Sequence, residues 1–278
     1  MALVINTNMN SLVAQNNLSK SQDALSQAIQ RLSSGLRINS AKDDAAGFFT
    51  SQLMTQDING MNQAVRNAND GVSLAQTAGG AMTQISSDLQ RINQLAVQSA
   101  NGTVQNRTGL QAEVDQLTQD ISQIVQTTSF TGVNMLAGTS GTITFQVGAQ
   151  GSASDQISVT GLNLTTLKSY AAGLTATGTV DVSTQAAASA AIANVQADIQ
   201  TVAADSATFG AVENRFSAVI NNLTNTAQNL TAARSRIVDA NFAQETANLS
   251  RAQILQQAGV AVLQQANTSP NIALTLLR

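Results

Sequence analysis

The chain of 278 residues is 10% charged and 3% aromatic, with one proline and no tryptophan, cysteine or histidine. These counts exclude disulfides, thiolate or imidazole metal sites and histidine acid–base catalysis, and a net charge of −3 with a pI near 4.8 excludes the basic footprint of a nucleic-acid binder. A composition 43% hydrophobic yet so poor in aromatic residues must pack through aliphatic seams, so long amphipathic helices are expected rather than a compact enzyme.

The first residues, MALVINTNMNSLVAQNNLSK, break their apolar positions with asparagine and lack the continuous apolar run of a cleaved signal peptide. No later run is long enough to span a membrane. The expectation is a cytosolic chain or one exported without a cleaved leader. After looser apolar positions at Leu3, Ile5, Met9 and Leu12, leucine recurs every seven residues at Leu18, Leu25 and Leu32, with Ala28 and Ile29 between. This predicts a terminal helix ending at Gly35, a natural C-cap.

Next, RLSSGLRINSAKDDAAG, Arg31 to Gly47, gathers Arg31, Arg37, Lys42, Asp43 and Asp44 into a chain with few charges. Ser40 and Asp43 have the spacing of a capping box, and Asp43 and Asp44 fall in a first turn where the helix dipole favours anions. As a pair of catalytic carboxylates they are less convincing, because neighbours on a helix diverge by about 100°.

Met54, Ile58, Met61, Val65, Ala68, Val72, Ala75, Met82, Ile85, Leu89, Ile92 and Ala96 then alternate steps of three and four, with Gly79 filling one gap. At 1.5 Å per residue this stripe is a rod of roughly 65 Å. After a break at Asn101-Gly102, Leu110, Val114, Leu117, Ile121 and Ile124 predict a helix that folds back antiparallel. The alternating runs 142–150 and 156–164 predict a β-hairpin. Residues 165–182, rich in Gly, Thr and Ala, read as an exposed connection or a very small insert. A third stripe runs from Ile192 through Val195, Ile199, Val202, Phe209, Val212, Phe216, Val219, Leu223 and Leu230 to Ile237, with a slip near Ser206 that suggests a stutter. The methionines fall on the apolar stripe, so core packing accounts for them. The glycines fit no phosphate-loop spacing, and Asn-x-Ser/Thr triplets such as Asn106-Arg107-Thr108 follow from composition.

Three runs carry a resemblance: INTNMNSLVAQNNLSKSQDALSQAIQRLSSGLRINSAKDDAAG, VRNANDGVSLAQTAGGAM, and ARSRIVDANFAQETANLSRAQILQQAGVAVLQQAN followed by a terminal LLR. Together they resemble bacterial flagellin over residues 1–160 and 190–278. The resemblance implies a mainly α, coiled-coil fold with a small β-hairpin region. Terminal helices 1–36 and 239–278 would form an inner domain, residues 37–44 a connector, and residues 45–160 and 183–238 a helical outer-tube domain. Residues 161–182 would be a short variable linker or insert. The implied function is a structural subunit, not an enzyme, that self-assembles into the extracellular flagellar filament for motility. A seam of Leu18, Leu25, Leu32, Val262, Leu263, Ala266, Leu276 and Leu277 would then mediate polymerisation. Apolar stripes on the terminal helices would stay disordered until neighbouring subunits cover them.

Arg31, Arg37, Lys42, Asp43 and Asp44 would lie in the connector and pair within and between subunits; a solvated linker that merely caps a helix is the plainer alternative. The implied partners are identical copies, the filament cap, hook-junction proteins, an export chaperone at the C-terminus and a host Toll-like receptor, with neither nucleic acid nor membrane among them. For that receptor the resemblance points to Arg91 and Leu95, one turn apart and expected on one face, and to Glu113 as the acidic partner; packing of Leu95 between subunits is the competing reading.

One stretch departs from the pattern. Where flagellins continue with small aliphatic residues and then a basic or polar one, this chain has Phe48-Phe49-Thr50-Ser51-Gln52, which either fills a groove on another subunit or leaves an exposed patch. Two other readings compete: within the structural class a hook–filament junction protein, and from a different class a secreted helical binding or membrane-active protein, which is weakened by polar faces lacking dense lysine and arginine. A flagellin carrying a metalloprotease is excluded, since His-Glu-x-x-His needs histidine.

Overall fold

The computed structural model describes residues 7–174 and 179–275, with side chains through residue 268. Its long helices are α1 (Met9–Ser34), α2 (Ala45–Ala100), α3 (Thr108–Thr127), α4 (Gln185–Val238) and α5 (Phe242–Thr275). Between α3 and α4 lie four short strands, β1 (Ser129–Phe130), β2 (Val133–Asn134), β3 (Thr142–Gln146) and β4 (Gln156–Thr160). The chain divides into two compact units, residues 1–56 with 228–278, and residues 57–227.

The 57–227 unit holds the larger core. From Met82 onward the predicted α2 stripe is the buried one: Met82, Ile85, Leu89, Ile92 and Ala96 are fully enclosed. Between Ala64 and Met82 the buried face is Ala64, Ala68, Gly71, Leu74, Ala75 and Ala78, so Val65, Val72 and Gly79 of the predicted stripe are each displaced by the residue before them. The cause is Phe216 of α4. A Cβ on Gly71 would stand 2.4 Å from the Phe216 ring, so α2 turns its smallest residue toward that ring and leaves Val72 half-buried.

On α4, Val195, Val202, Phe209, Phe216 and Leu223 are all buried at unbroken seven-residue spacing, so the stutter expected near Ser206 is absent. The helix also starts earlier than its stripe, at Gln185. There Thr184 caps it by accepting from Ala187 N–H at 3.1 Å, and Ala188 and Ala191 join the core. The turn between α2 and α3 is closed by Arg107, whose guanidinium donates to the carbonyls of Ser99 at 2.9 Å and Asn101 at 3.0 Å at the end of α2.

The predicted hairpin is present as β3–β4, antiparallel with Thr142 opposite Thr160 and Gln146 opposite Gln156. Ile157 and Val159 bury one face, and Phe145 meets Phe216 edge to face at 5.4 Å. A second small ladder, β1–β2, carries no alternation long enough to have been predicted.

Residues 165–182 are not an exposed connection in their described parts. Leu167, Ser169, Ala171, Val180 and Val182 are buried. The buried Asp198 carboxylate of α4 accepts from Lys168 N–H (3.1 Å), Ser169 N–H (2.8 Å) and the Ser169 hydroxyl (2.8 Å), while Ser122 Oγ of α3 accepts from Ala171 N–H at 2.6 Å. Side-chain acceptors on the helices replace the strand ladder this segment lacks. Asp88 of α2 is also buried; Gln84 donates to its Oδ1 at 2.9 Å, while Oδ2 is enclosed with no hydrogen-bond partner. Burial pushes its carboxyl above the usual range, with the charge of Asp120 adding to the effect.

In the other unit, α1 and α5 pack along their length. Asn8 caps α1 by accepting from Ser11 N–H, and Gly35 ends it at φ 71°, its N–H donating to the Arg31 carbonyl. Beyond this cap the chain forms an antiparallel bridge, Leu36 with Asp239. Arg37 N–H donates to Val238 O at 2.6 Å, and Ala240 N–H donates to Gly35 O at 2.9 Å.

Candidate assembly surfaces

The α1–α5 pair is antiparallel, since Asn8 and Ser11 meet Ala266 and Asn267 while Arg31 meets Glu245. Its seam keeps coiled-coil spacing: Ser11, Ala14, Leu18, Ser21, Leu25, Ala28 and Leu32 on α1, and Glu245, Leu249, Ala252, Gln256, Gly259, Leu263 and Ala266 on α5, are buried or half-buried. The contact is narrow and largely small-sided; a Cβ on Gly259 would stand 3.3 Å from Leu18. Polar contacts pin both ends. Asn8 Nδ2 donates to Ala266 O at 2.8 Å, Ser11 Oγ donates to Asn267 Oδ1 at 2.8 Å, and Arg31 pairs with Glu245 at 3.1 Å. Such contacts set register more than strength.

The residues expected along a single polymerisation seam therefore divide. Leu18, Leu25, Leu32, Leu263 and Ala266 face the partner helix of their own chain, whereas Val262 is 57% exposed. Leu276 and Leu277 lie outside the described residues. Within one chain α1 and α5 cover each other's seam stripes, leaving most of those residues half-buried. What remains uncovered is a second apolar set: Met9, Leu12, Val13 and Ile29 on α1, and Phe242, Ile254, Leu255, Val260 and Val262 on α5. Sequence reading passed over Glu245, because the register that sets it opposite Arg31 is not encoded locally.

The expected connector residues do not act as one cluster. Arg31 belongs to the helix pair through Glu245, and the Arg37 guanidinium donates to Ile237 O at 2.5 Å. The capping expectation shifts by four residues, and Asp43 and Asp44 both precede α2 instead of lying in its first turn. Asp44, not Ser40, caps α2 by accepting from Gly47 N–H at 2.9 Å. Asp43 closes the preceding turn, accepting from Asn39 N–H (3.1 Å), Ser40 N–H (3.0 Å) and the Ser40 hydroxyl. These donors, the backbone of Asn39 and Ser40 first, hold the Asp43 carboxyl below the usual carboxylate range. Lys42 is exposed and belongs to neither ion pair among the described residues.

In the 57–227 unit, Arg91 and Glu113 are exposed and form an ion pair at 2.7 Å between α2 and α3. Leu95 does not share that face. It is 1% exposed and belongs to the core cluster that also holds Val114 and Ile121 of α3. The same unit carries an open cleft of about 620 Å³ beside the β3–β4 turn, with Met61, Val147, Ile157, Val219 and Leu223 among its apolar lining and Asp57, Asp155 and Arg215 as its charged groups. Among the described residues no helix is long and apolar enough to cross a membrane, and no group of acidic residues could hold a metal ion.

Residues 5–141 match the bacterial flagellin N-terminal helical region, and residues 192–277 match the bacterial flagellin C-terminal helical region. Flagellin 1 of Proteus mirabilis is 44% identical over an alignment covering all of both chains, and flagellin of Xenorhabdus nematophila is 43% identical with the same coverage. The crystal structure of Bacillus cereus flagellin is 31% identical, covering 61% of this chain and 94% of that one, with a TM-score of 0.50. Two unconnected helical regions matched in order, with full-length relatives and a fold of long paired helices, make this chain a member of the bacterial flagellin family, a non-enzymatic structural subunit that self-assembles into the extracellular flagellar filament.

Proposed function

We propose that the α1–α5 pair forms the inner domain of the filament subunit and that its outward apolar residues are the polymerisation surface. The observation that carries this reading is the division on α5: Leu263 and Ala266 meet α1, whereas Ile254, Leu255 and Val262 stay 51–65% exposed. Each such side chain contributes about 1.5–3 kcal/mol once covered, so a few of them repeated in every subunit decide assembly. The bridge at Leu36 and Asp239 serves as the connector to the outer helical domain, with the hairpin in that domain. The same α5 stripe is the landing site for an export chaperone before assembly. Surfaces left open at the ends of the polymer receive the filament cap and the hook-junction proteins.

A chain truncated after Asn248 tests this. It loses Ile254, Leu255 and Val262 together with the seam residues Leu263 and Ala266, and is expected to keep the helical circular dichroism and the melting transition of the 57–227 unit while forming no filaments from seeds. Filaments of normal length would refute the assignment.

For a host Toll-like receptor, the Arg91–Glu113 pair supplies the exposed contact, with Leu95 contributing only through the core. Arg91→Ala is expected to weaken receptor signalling in a reporter cell, while Leu95→Ala acts through stability.

A further inference from the structure

The Phe48-Phe49 departure leaves a ridge uncovered on α2. Phe49 is 65% exposed and Leu53 46%, and at i and i+4 they stand one above the other on one helix face. Lys42, just before the helix, is an exposed cation outside both ion pairs. The cleft beside the β3–β4 turn has the opposite character. It is open, about 620 Å³ in volume and lined by Met61, Val147, Ile157, Val219 and Leu223 together with Asp57, Asp155 and Arg215; among the described residues these three charged groups also belong to neither ion pair, so the lining carries one more carboxylate than cations. A cleft of that size holds a drug-sized ligand, so it has room for an aromatic ring and an isobutyl group together.

We propose that the Phe49–Leu53 ridge of one copy seats in this cleft on a neighbouring copy, bringing Lys42 toward the Asp57 and Asp155 carboxylates. Ridge and cleft are different patches of the same surface, so the contact is heterologous and generates an open helical array instead of a closed dimer. A two-fold pairing of ridge with ridge would place Lys42 against Lys42 and leave the two cleft carboxylates with Arg215 as the one cation of the lining. The inference rests on self-assembly of this chain and adds a contact specific to its sequence, since the ridge is where it departs from the flagellin pattern.

The absence of cysteine makes the test clean. One copy carries Gln52→Cys on exposed α2 surface beside Phe49, and a second carries Ala218→Cys in the cleft lining. Both are polymerised with an excess of unmodified chain, so that filaments form regardless of either substitution, and treated with a short flexible bis-maleimide. A covalent dimer of twice 28.7 kDa is expected from filaments holding both copies, and none from dilute monomer or from filaments holding only one. Adding Phe49→Ala and Leu53→Ala to the Gln52→Cys copy is expected to lower the dimer about tenfold. Mixed filaments without the dimer, or a dimer unaffected by those alanines, would overturn the contact and leave self-assembly standing. Failure of the unmodified chain to polymerise at all would overturn self-assembly, and the contact with it.

Discussion

The two units solve the same packing problem with opposite means. The 57–227 unit encloses Met82, Ile85, Leu89, Ile92 and Phe216 completely and pins its loop with the buried carboxylate of Asp198. The α1–α5 pair relies on alanine, serine, glycine and half-buried leucines, held in register by polar contacts, and leaves isoleucine, leucine and valine outside. One unit completes its hydrophobic burial within the chain. The other buries only enough to define a helix pair and keeps its larger apolar side chains on the surface, as a subunit that must be covered by copies of itself requires.

The contrast breaks most visibly on the outer face of α5. Replacing Ile254, Leu255 and Val262 together by serine is expected to abolish seeded filament growth while shifting the monomer melting by no more than about 0.5 kcal/mol, since exposed positions contribute little to folding. Large destabilisation of the monomer in a thermal melt would show that these residues are already covered. In the enclosed unit the sensitivity runs the other way. Gly71→Ala forces a Cβ against the Phe216 ring and is expected to cost about 1–3 kcal/mol in a urea titration, despite the better helix propensity of alanine. Phe216→Leu in the same chain should relieve part of that cost, and additive losses would locate the strain elsewhere.

A smaller effect sharpens the register argument. Glu245→Gln removes the charge facing Arg31 and is expected to cost about 1 kcal/mol in the α1–α5 pair, because the Arg31 side chain keeps some access to water. The loss should shrink as salt rises, and a salt-independent loss would point to shape instead of charge.

Smallest is Asp88. Its folded-state carboxyl titrates above the unfolded one, so its protonated form favours folding; that contribution is present below the unfolded pKa and is lost as pH rises through the folded value. Asp88→Asn keeps an oxygen for Gln84 and carries no charge. It is expected to raise the melting temperature at pH 7 by about 3 °C and to leave it unchanged below the unfolded value, a pH-dependent difference readable in paired thermal melts. Equal shifts at both pH values would assign the gain to packing.

Sequence alone determined the long helical stripes of α1 to α4, where α1 stops, which alternating runs pair as β3 and β4, and that α1 carries heptad leucines. These follow from local rules: a 3.6-residue or two-residue period and the freedom of Gly35 to adopt positive φ. A period shows which face is apolar, but not what lies against it. Only the tertiary structure decided that Gly71 yields to Phe216 and displaces the buried stripe of α2 by one residue, and that Leu95 turns inward while Arg91 stays out. Only there does the glycine- and threonine-rich segment before α4 become buried, because the acceptors that hold it, Asp198 and Ser122, lie on helices 29 to 49 residues distant along the chain. The division of the terminal leucines and valines between an internal seam and an open face was likewise decided by the antiparallel register of α1 against α5. That register is set by contacts such as Arg31 with Glu245, 214 residues apart, which no local pattern encodes.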